Sequence, residues 1–168
     1  MKKTLLLYSR ICPTDSQHTI KIFNELSKLE GITAVKLDGS KPFDIPYEQE
    51  FIKKFDNVIL LFTINWFNLP WNLSRYMAEV WRTGVFNLEG INFYTIVTTG
   101  SKTEIYSKES DFGWTAEEYL NNLSSVFKRL KANYVNKYFY YDCVNYDENR
   151  LNNFIDSLKD EYNNKIKK

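Results

Sequence analysis

The chain has 168 residues, enough for one domain with a substantial core and too few for two comfortable ones. Its 22 basic and 21 acidic side chains nearly cancel, which argues against a protein that binds nucleic acid or an anionic membrane through a basic surface. Two distant cysteines and a single histidine give no basis for a metal site or a disulfide framework, so a reducing cytoplasm is the expected location.

Strand and helix patterns alternate along the whole chain. Apolar runs predict strands at residues 4–8, 32–37, 57–62, 92–98 and 134–141. The helical spacing of apolar residues predicts helices at 16–30, 47–55 and 70–82, and two more that begin near 115 and 147. Thr115 and Glu118 have the spacing of a capping box. Residues 163–168 are expected to form a frayed polar tail.

This alternation predicts one three-layer α/β domain over residues 1–168, built from right-handed parallel crossovers. In such sheets, ligands bind beyond the carboxyl ends of the strands. The rule selects three loops, at residues 9–19, 63–70 and 99–114. All three have an unusual composition, and their coincidence is more informative than any one of them.

The first loop carries polar groups where the first helix should begin. The hydroxyl, amide and imidazole groups are those of Thr14, Ser16, Gln17, His18 and Thr19, and Arg10 adds a positive charge. A helix start with such donors suits a phosphate. The alternative is that Asp15 or Ser16 only caps the helix and the rest is solvated loop. Neither a dinucleotide fingerprint nor a P-loop is present.

Cys12 lies just after the first strand, as the nucleophile does in small tyrosine phosphatases and arsenate reductases. That chemistry needs an arginine several residues downstream, which lowers the pKa of the thiol and binds the oxyanion. The residues after Cys12 are PTDSQHTIK and contain no arginine. Cys12 is therefore expected to be a small, partly buried side chain.

The other two loops offer aromatic and backbone groups. Trp66 and Phe67 leave the third strand and could form an apolar wall for a planar ligand, or pack on the sheet edge or a subunit interface. Gly100 follows the fourth strand, where glycine permits close approach of a ligand or a positive φ. Tyr106 supplies a hydroxyl whose high ordinary pKa keeps it a proton donor at neutral pH.

These residues resemble the flavodoxin-like NAD(P)H:quinone oxidoreductase family, which includes DT-diaphorase and the ancillary subunits of potassium-efflux systems. DNVILLFTINWFNLP, residues 56–70, is similar to the family pattern of an aspartate, an apolar strand and F-P-x-x-W-[YF]-x-x-P. TIVTTG followed by Tyr106 is similar to its T-T-G…Y loop, and Ser16 stands at the serine of its phosphate-binding segment. The resemblance implies a flavodoxin-like sandwich with five parallel strands in the order 2-1-3-4-5.

The resemblance also implies a flavin site and a role for each loop. The flavin phosphate would be bound by Ser16, Gln17, His18 and Thr19, beside Arg10. The isoalloxazine ring would be lined by Ile64, Asn65, Trp66 and Phe67. Its pyrimidine edge would be approached by Thr98, Thr99, Gly100 and Ser101, where N–H donors stabilise the negative charge that develops on reduction. Tyr106 would be the catalytic proton donor.

By the same resemblance, NAD(P)H and a quinone would use one site in turn, in a ping-pong scheme. FMN is expected rather than FAD, because the chain lacks the C-terminal extension of the FAD-binding members. A homodimer is expected, with Trp71, Tyr76 and Trp81 offering apolar surface for the interface. The alternative is that these three side chains simply cover the sheet.

Four positions depart from the family pattern. Arg10 replaces a histidine, Thr63 replaces the proline, Ser101 replaces a second glycine, and Phe112 stands where longer members have a histidine. The departures at Arg10, Thr63 and Ser101 motivate an alternative function, a non-enzymatic regulatory or interaction subunit with a vestigial flavin site. Such a subunit could bind a membrane transporter.

Overall fold

The computed structural model describes residues 1–10 and 16–168, and this part contains a five-stranded parallel sheet in the order β2-β1-β3-β4-β5. The strands are β1 Thr4–Ser9, β2 Ile32–Lys36, β3 Asn57–Ile64, β4 Asn92–Thr99 and β5 Asn133–Tyr140. The α-helices are α1 Gln17–Leu26, α2 Ile45–Ile52, α3 Trp71–Tyr76, α4 Asn121–Arg129 and α5 Glu148–Glu161. The expected flavodoxin-like fold and strand order are confirmed.

Two hydrophobic cores lie on the two faces of this sheet, because successive side chains of a strand point to opposite faces. Leu60 and Phe62 belong to the core under α2, α3 and α4, whereas Ile59 and Leu61 belong to the core under α1 and α5. Strands covered on both faces need apolar side chains at nearly every position, which explains the unbroken run at 58–62.

Two of the predicted helices are less regular than their sequence patterns. The helix expected at 70–82 is an α-helix only to Tyr76 and continues as a π-helix from Met77 to Trp81. The helix expected from Thr115 begins with a 3₁₀ turn, and regular α-helix starts at Asn121. The capping box is present, since Thr115 and Glu118 exchange backbone-to-side-chain hydrogen bonds of 2.8 and 3.3 Å.

The aromatic residues proposed for a subunit interface are mostly inside the protein. Tyr76 and Trp81 are only 1% and 3% exposed and pack edge-on against each other above the sheet. Only Trp71 retains substantial exposure. The argument for an interface from Tyr76 and Trp81 is therefore wrong, because these side chains fill the core between α3 and the sheet.

The C-terminal segment was expected to fray, and this expectation is also wrong. Ile166 is buried in the core under α1 and α5, within a π-helix that extends α5. Its carbonyl accepts a hydrogen bond of 2.9 Å from the amide of Asn57, at the start of β3. Lys2 donates its backbone N–H to the carbonyl of Lys167 at 3.1 Å. The segment pairs with the amino-terminal edge of the sheet.

The carboxyl ends of three strands meet at one edge. Ser9 pairs with Phe62 across β1 and β3, and Ile64 pairs with Thr99 across β3 and β4. The loops after these strands therefore begin side by side, at the point where the chain order in the sheet reverses. Within residues 1–10 and 16–168, none of the helices has the length and apolarity required to cross a bilayer.

Candidate functional site

The amino-terminal end of α1 presents free hydrogen-bond donors. Ser16 is the N-cap residue, but its side chain makes no capping hydrogen bond, and the first N–H bonded to its carbonyl is that of Ile20, at 2.9 Å. The N–H groups of residues 17–19 have no acceptor in the described part of the chain. With the helix dipole, these donors and the half-buried Ser16 hydroxyl form a site suited to a phosphate. Ser16 therefore does not cap α1 through its side chain, and Asp15, the other candidate cap, lies outside the described residues.

Two side chains predicted to bind the phosphate face the protein interior instead. The Thr19 hydroxyl is within hydrogen-bond distance of the Tyr8 hydroxyl, at 3.0 Å, and donates to the Ser16 carbonyl at 3.2 Å. The His18 ring packs against Tyr140 and Tyr146, with centroids 5.5 and 5.3 Å away. His18 and Thr19 are thus placed to offer their backbone N–H groups.

Of the other groups in this loop, Gln17 and Arg10 are exposed at the same end of the sheet. Cys12, Thr14 and Asp15 lie outside the described residues, so the expectations for them stay predictions. Burial, followed by the positive charge of Arg150, lowers the pKa of His18 below its ordinary value of 6.5.

The loop after β3 is a tight four-residue turn. Asn65 and Asn68 exchange two backbone hydrogen bonds of 3.0 Å, and Trp66 and Phe67 between them have φ of +48° and +60°. Two aromatic residues in left-handed conformations are strained, and such strain clusters at ligand sites. The N–H groups of Trp66 and Phe67 have no acceptor among the described residues and lie at the turn.

The side chains of this loop are divided between ligand face and core. Trp66 is 86% exposed, and Asn65 is also exposed. Phe67 packs against Phe112 and Tyr119, with ring centroids 5.0 and 5.1 Å away. Ile64 is buried in the core, so it lies below the site and does not line it as expected.

The loop after β4 also turns its hydroxyls inward. Thr98 shares a 2.6 Å hydrogen bond with Thr63, the residue that replaces the family's proline, and Thr99 donates to the Ser101 carbonyl at 3.0 Å. Gly100 has no positive φ, and a Cβ added there would meet only Val144, at 3.8 Å. The N–H groups of Gly100 and exposed Ser101 have no acceptor in the described chain.

Tyr106 lies beside these two loops, at the end of a 3₁₀ turn from Thr103. Its ring is 6.4 Å from that of Phe67 and 5.8 Å from that of Tyr141, between centroids. Burial is the main reason that the pKa of Tyr106 is raised above its ordinary value, so the hydroxyl keeps its proton at neutral pH. Tyr106 also lines a cleft of about 400 Å³ that includes Asn121 and Lys137.

A fourth loop, residues 141–147 after β5, also lies at this edge and was not predicted from the sequence. Residues 142–144 donate backbone hydrogen bonds to the carbonyls of residues 99–101, and Arg150 binds the fourth loop from α5. The rule about carboxyl ends of strands applies to β5 as well and would have selected this loop. Its composition, however, has no phosphate or aromatic pattern that drew attention to it.

The three predicted loops therefore begin at one edge of the sheet, and seven of their backbone N–H groups have no acceptor among residues 1–10 and 16–168. The set comprises the backbone N–H groups of Gln17, His18, Thr19, Trp66, Phe67, Gly100 and Ser101. A phosphate suits the first three, and the acceptor-rich edge of a flat heterocycle suits the others. A Cβ added at Gly100 would meet only Val144, so the backbone there is open to close approach by a ligand. These residues fit a flavin mononucleotide.

Comparison with solved structures finds the same fold at low identity. The chain is similar to an NADPH-quinone reductase from P. pentosaceus, with 18% identity over 95% of this chain and 96% of that chain, and a TM-score of 0.83. It is similar to general stress protein 14 from Treponema denticola in complex with FMN, with 22% identity, 94% coverage of both chains and a TM-score of 0.75. These likenesses show the fold.

A protein described as a thermophilic tryptophan halogenase from Streptomycin violaceusniger is similar to the same degree, with 19% identity, coverage of 96% of this chain and 98% of that chain, and a TM-score of 0.84. A comparison with curated proteins found no match. The family model described as flavodoxin-like fold matches residues 2–166. The chain therefore belongs to the flavodoxin-like family, as its resemblance to the NAD(P)H:quinone oxidoreductases led us to expect.

Proposed function

We propose that this protein is an FMN-dependent oxidoreductase that takes a hydride from NADH or NADPH and reduces quinones or similar two-electron acceptors. The observation that carries the proposal is the set of backbone N–H donors in the loops after β1, β3 and β4 that have no acceptor among the described residues and lie at one edge of the sheet. The named activity of the quinone reductase and the FMN bound by general stress protein 14 support the same assignment.

Each loop has a separate task in this proposal. The α1 terminus and the Ser16 hydroxyl bind the phosphate, while Trp66 and Phe67 direct N–H groups at one side of the ring. Gly100 and Ser101 direct theirs at the pyrimidine edge, where preorganised donors are worth most as negative charge develops. The flavin, when bound, supplies the hydride chemistry, and this chain positions it and stabilises charge.

Tyr106 is the proposed proton donor, at the end of the 3₁₀ turn beside the loops after β3 and β4. Its raised pKa keeps the hydroxyl protonated until an acceptor needs the proton. NAD(P)H and the acceptor would use one site beside Tyr106 in turn, which is the ping-pong scheme. A cytoplasmic location, with its supply of NADH and NADPH, belongs to the proposal.

Cofactor binding is tested first, by titrating the flavin-free protein with FMN, FAD and riboflavin and following flavin fluorescence. We expect FMN to bind, and riboflavin to bind more weakly because it lacks the phosphate. Ser16→Ala should weaken FMN binding about tenfold, the effect of one hydrogen bond to a charged group. The matched control is Ser27→Ala at the other end of α1, where the hydroxyl bonds only to the Asn24 carbonyl. A protein that binds none of the three flavins contradicts the proposal.

Turnover is tested with the FMN-loaded protein under anaerobic conditions. Addition of NADH or NADPH should bleach the flavin absorbance, and a quinone should restore it. Tyr106→Phe should lower the rate of the second step more than the first, because only the acceptor takes a proton from Tyr106. FMN that binds tightly but is never bleached would favour the alternative of a regulatory or interaction subunit, for which a membrane transporter is the partner to test.

A homodimer is part of the proposal, because apolar side chains around the site remain uncovered. Trp66, Phe112 and Trp114 are 86%, 47% and 51% exposed, on two loops of the same edge. A second copy that covers them would exclude water from the ring. Sedimentation should therefore give about twice the chain mass of 20.0 kDa, and Trp114→Ser should weaken association. A species of one chain mass at every concentration contradicts this part.

A further inference from the structure

We propose that Arg150, on α5 and outside the loops that would contact the flavin, is a positioning residue for the pyrimidine-side loop at residues 99–101. It acts by holding the loop after β5, which in turn holds that loop. This inference rests on the proposed FMN site for its functional consequence, whereas the mechanical part stands on hydrogen bonds within the chain.

The loop after β5 contacts the pyrimidine-side loop through backbone hydrogen bonds. Asp142 donates its backbone N–H to the Ser101 carbonyl at 2.9 Å, Cys143 to Thr99 at 3.0 Å, and Val144 to Gly100 at 3.3 Å. Three consecutive carbonyls of the pyrimidine-side loop are thereby paired on one side. The N–H groups of residues 100 and 101 are left facing the proposed ring, and the direction in which they point depends on these three bonds.

Arg150, on α5, holds the loop after β5 through its guanidinium. Its Nη2 donates to the Asp142 carbonyl at 2.9 Å and to the Asn145 carbonyl at 3.0 Å, which closes the loop like a clasp. The guanidinium also lies over the Tyr140 ring, 4.9 Å from its centroid. Asp142 has a φ of +62°, in the left-handed region that aspartate tolerates in turns.

The clasp is separate from the cap of the helix that carries it. Asp147 caps α5 by accepting the backbone N–H of Arg150 at 3.0 Å, and this bond survives truncation of the Arg150 side chain. A purely structural role in α5 would therefore be lost with Asp147, not with the guanidinium. Lysine cannot replace the arginine fully, because an ammonium lacks the planar group that lies over the Tyr140 ring while Nη2 donates to both carbonyls.

The clasp also reaches the phosphate end of the site. Tyr140, under the guanidinium, packs against His18 in the first turn of α1, with 5.5 Å between ring centroids. One side chain thus braces both the loop at the pyrimidine edge and the helix start proposed for the phosphate. Groups that support ligand-binding groups in this way set their geometry to within tenths of an ångström, which is what electrostatic stabilisation requires.

The test compares Arg150→Ala and Arg150→Lys with Arg129→Ala. Arg129 is exposed on α4, and its guanidinium has no bonded partner within residues 1–10 and 16–168, so its loss matches the charge change alone. In the flavin-free proteins, amide hydrogen exchange at residues 142–144 is measured first. Arg150→Ala should speed exchange there at least tenfold, Arg150→Lys less, and Arg129→Ala not at all.

The second readout is FMN binding in the oxidised and reduced states. Arg150→Ala should weaken FMN about tenfold, and the reduced form about tenfold more, because the N–H donors matter most when the ring is charged. That difference lowers the two-electron potential of bound FMN by about 30 mV. Arg150→Lys should fall between Arg150→Ala and the native protein, and it provides a folded variant if the alanine variant is unstable.

If amide hydrogen exchange at residues 142–144 is the same in Arg150→Ala as in the native protein, Arg150 does not hold the loop after β5. Faster exchange with an unchanged FMN affinity and potential overturns the positioning role. A native protein that binds no FMN overturns the proposed function and the positioning role together, while the exchange data still decide the clasp. The failure of each claim is therefore distinguishable from that of the others.

Discussion

At Gly100, the need for a glycine comes from the proposed ligand and not from the fold. Its φ is not positive, and an added Cβ would meet only Val144 at ordinary contact distance, so the fold itself does not need glycine there. A ring approaching the N–H groups of residues 100 and 101 does need it, because a methyl group would stand between backbone and ligand.

Gly100→Ala should therefore leave the free energy of unfolding within about 0.5 kcal/mol of the native value, or raise it slightly, because alanine restricts the unfolded chain. FMN affinity should fall at least tenfold. The matched control is Gly90→Ala, before β4 at the opposite edge, where φ is +82°. Its free energy of unfolding should fall by about 1 kcal/mol, and its FMN affinity should not change. Urea denaturation and fluorescence titration check the pair, and equal FMN affinity in both variants would contradict the site.

His18 links stability to pH, since its pKa is lowered by burial and by Arg150. The unfolded chain then binds more protons than the folded one, so stability is lost as the pH falls below 6.5, the ordinary value, and is unaffected well above it. His18→Phe keeps a ring between Tyr140 and Tyr146 without a titrating group. Between pH 7.5 and 5.5, its free energy of unfolding should decrease less than that of the native protein. If urea titrations give free energies of unfolding that fall equally with pH in the two proteins, the prediction is contradicted.

Among the elements, the turn after β3 stores the clearest strain. Trp66 has a φ of +48° yet is 86% exposed, so the packing of its side chain offsets little of the backbone strain. Its N–H and that of Phe67 are the groups that the turn presents, and a type of turn that favours Asn and Gly is here built from two aromatic residues. Such a sequence is consistent with selection for a ligand rather than for stability.

Trp66→Asn should stabilise the flavin-free protein by about 1 kcal/mol, because asparagine tolerates the left-handed region better than tryptophan. Trp114→Asn is the control, since Trp114 is also exposed but has no positive φ, and it should show no gain. Thermal unfolding of both variants measures the difference. If Trp66→Asn destabilises the protein, the tryptophan makes a contact that its exposure does not indicate.

On the scale of the whole molecule, a ladder of asparagine amides ties the end of the chain to the sheet. The Asn133 amide donates to Asn92 and the Asn92 amide to Asn57, each at 3.1 Å, and Asn57 donates to the Ile166 carbonyl at 2.9 Å. These residues begin β5, β4 and β3 at the edge opposite the proposed site. The end of the chain is thus a structural part of the core, at the edge of the sheet opposite the proposed flavin site.

Ile166→Ala should lower the free energy of unfolding by about 2–4 kcal/mol, the usual range for a fully buried isoleucine. Lys165→Ala, one residue away, removes only an exposed ion pair with Glu161 and should change it by less than about 0.5 kcal/mol. Under conditions in which both variants are fully folded, their FMN affinity should equal that of the native protein. An Ile166→Ala protein as stable as Lys165→Ala would mean that the segment frays after all.

The sequence by itself determined the elements and the strand ends. Unbroken apolar runs and helical spacing are local patterns, so they located all five strands, and the resemblance supplied the strand order. The prediction that the loops after β1, β3 and β4 begin side by side followed from parallel strands alone. The capping box of Thr115 and Glu118 was equally local and is present.

Only the tertiary structure decided which way side chains face and which distant segments touch. His18, Thr19 and Ile64 point inward, and Tyr76 and Trp81 are covered, because the rotation of each element is set by packing against the whole sheet. The loop after β5 and the buried C-terminal segment depend on contacts between residues far apart in the chain, as between Asn57 and Ile166. No local pattern records such contacts, since their free energy arises only when the sheet has formed.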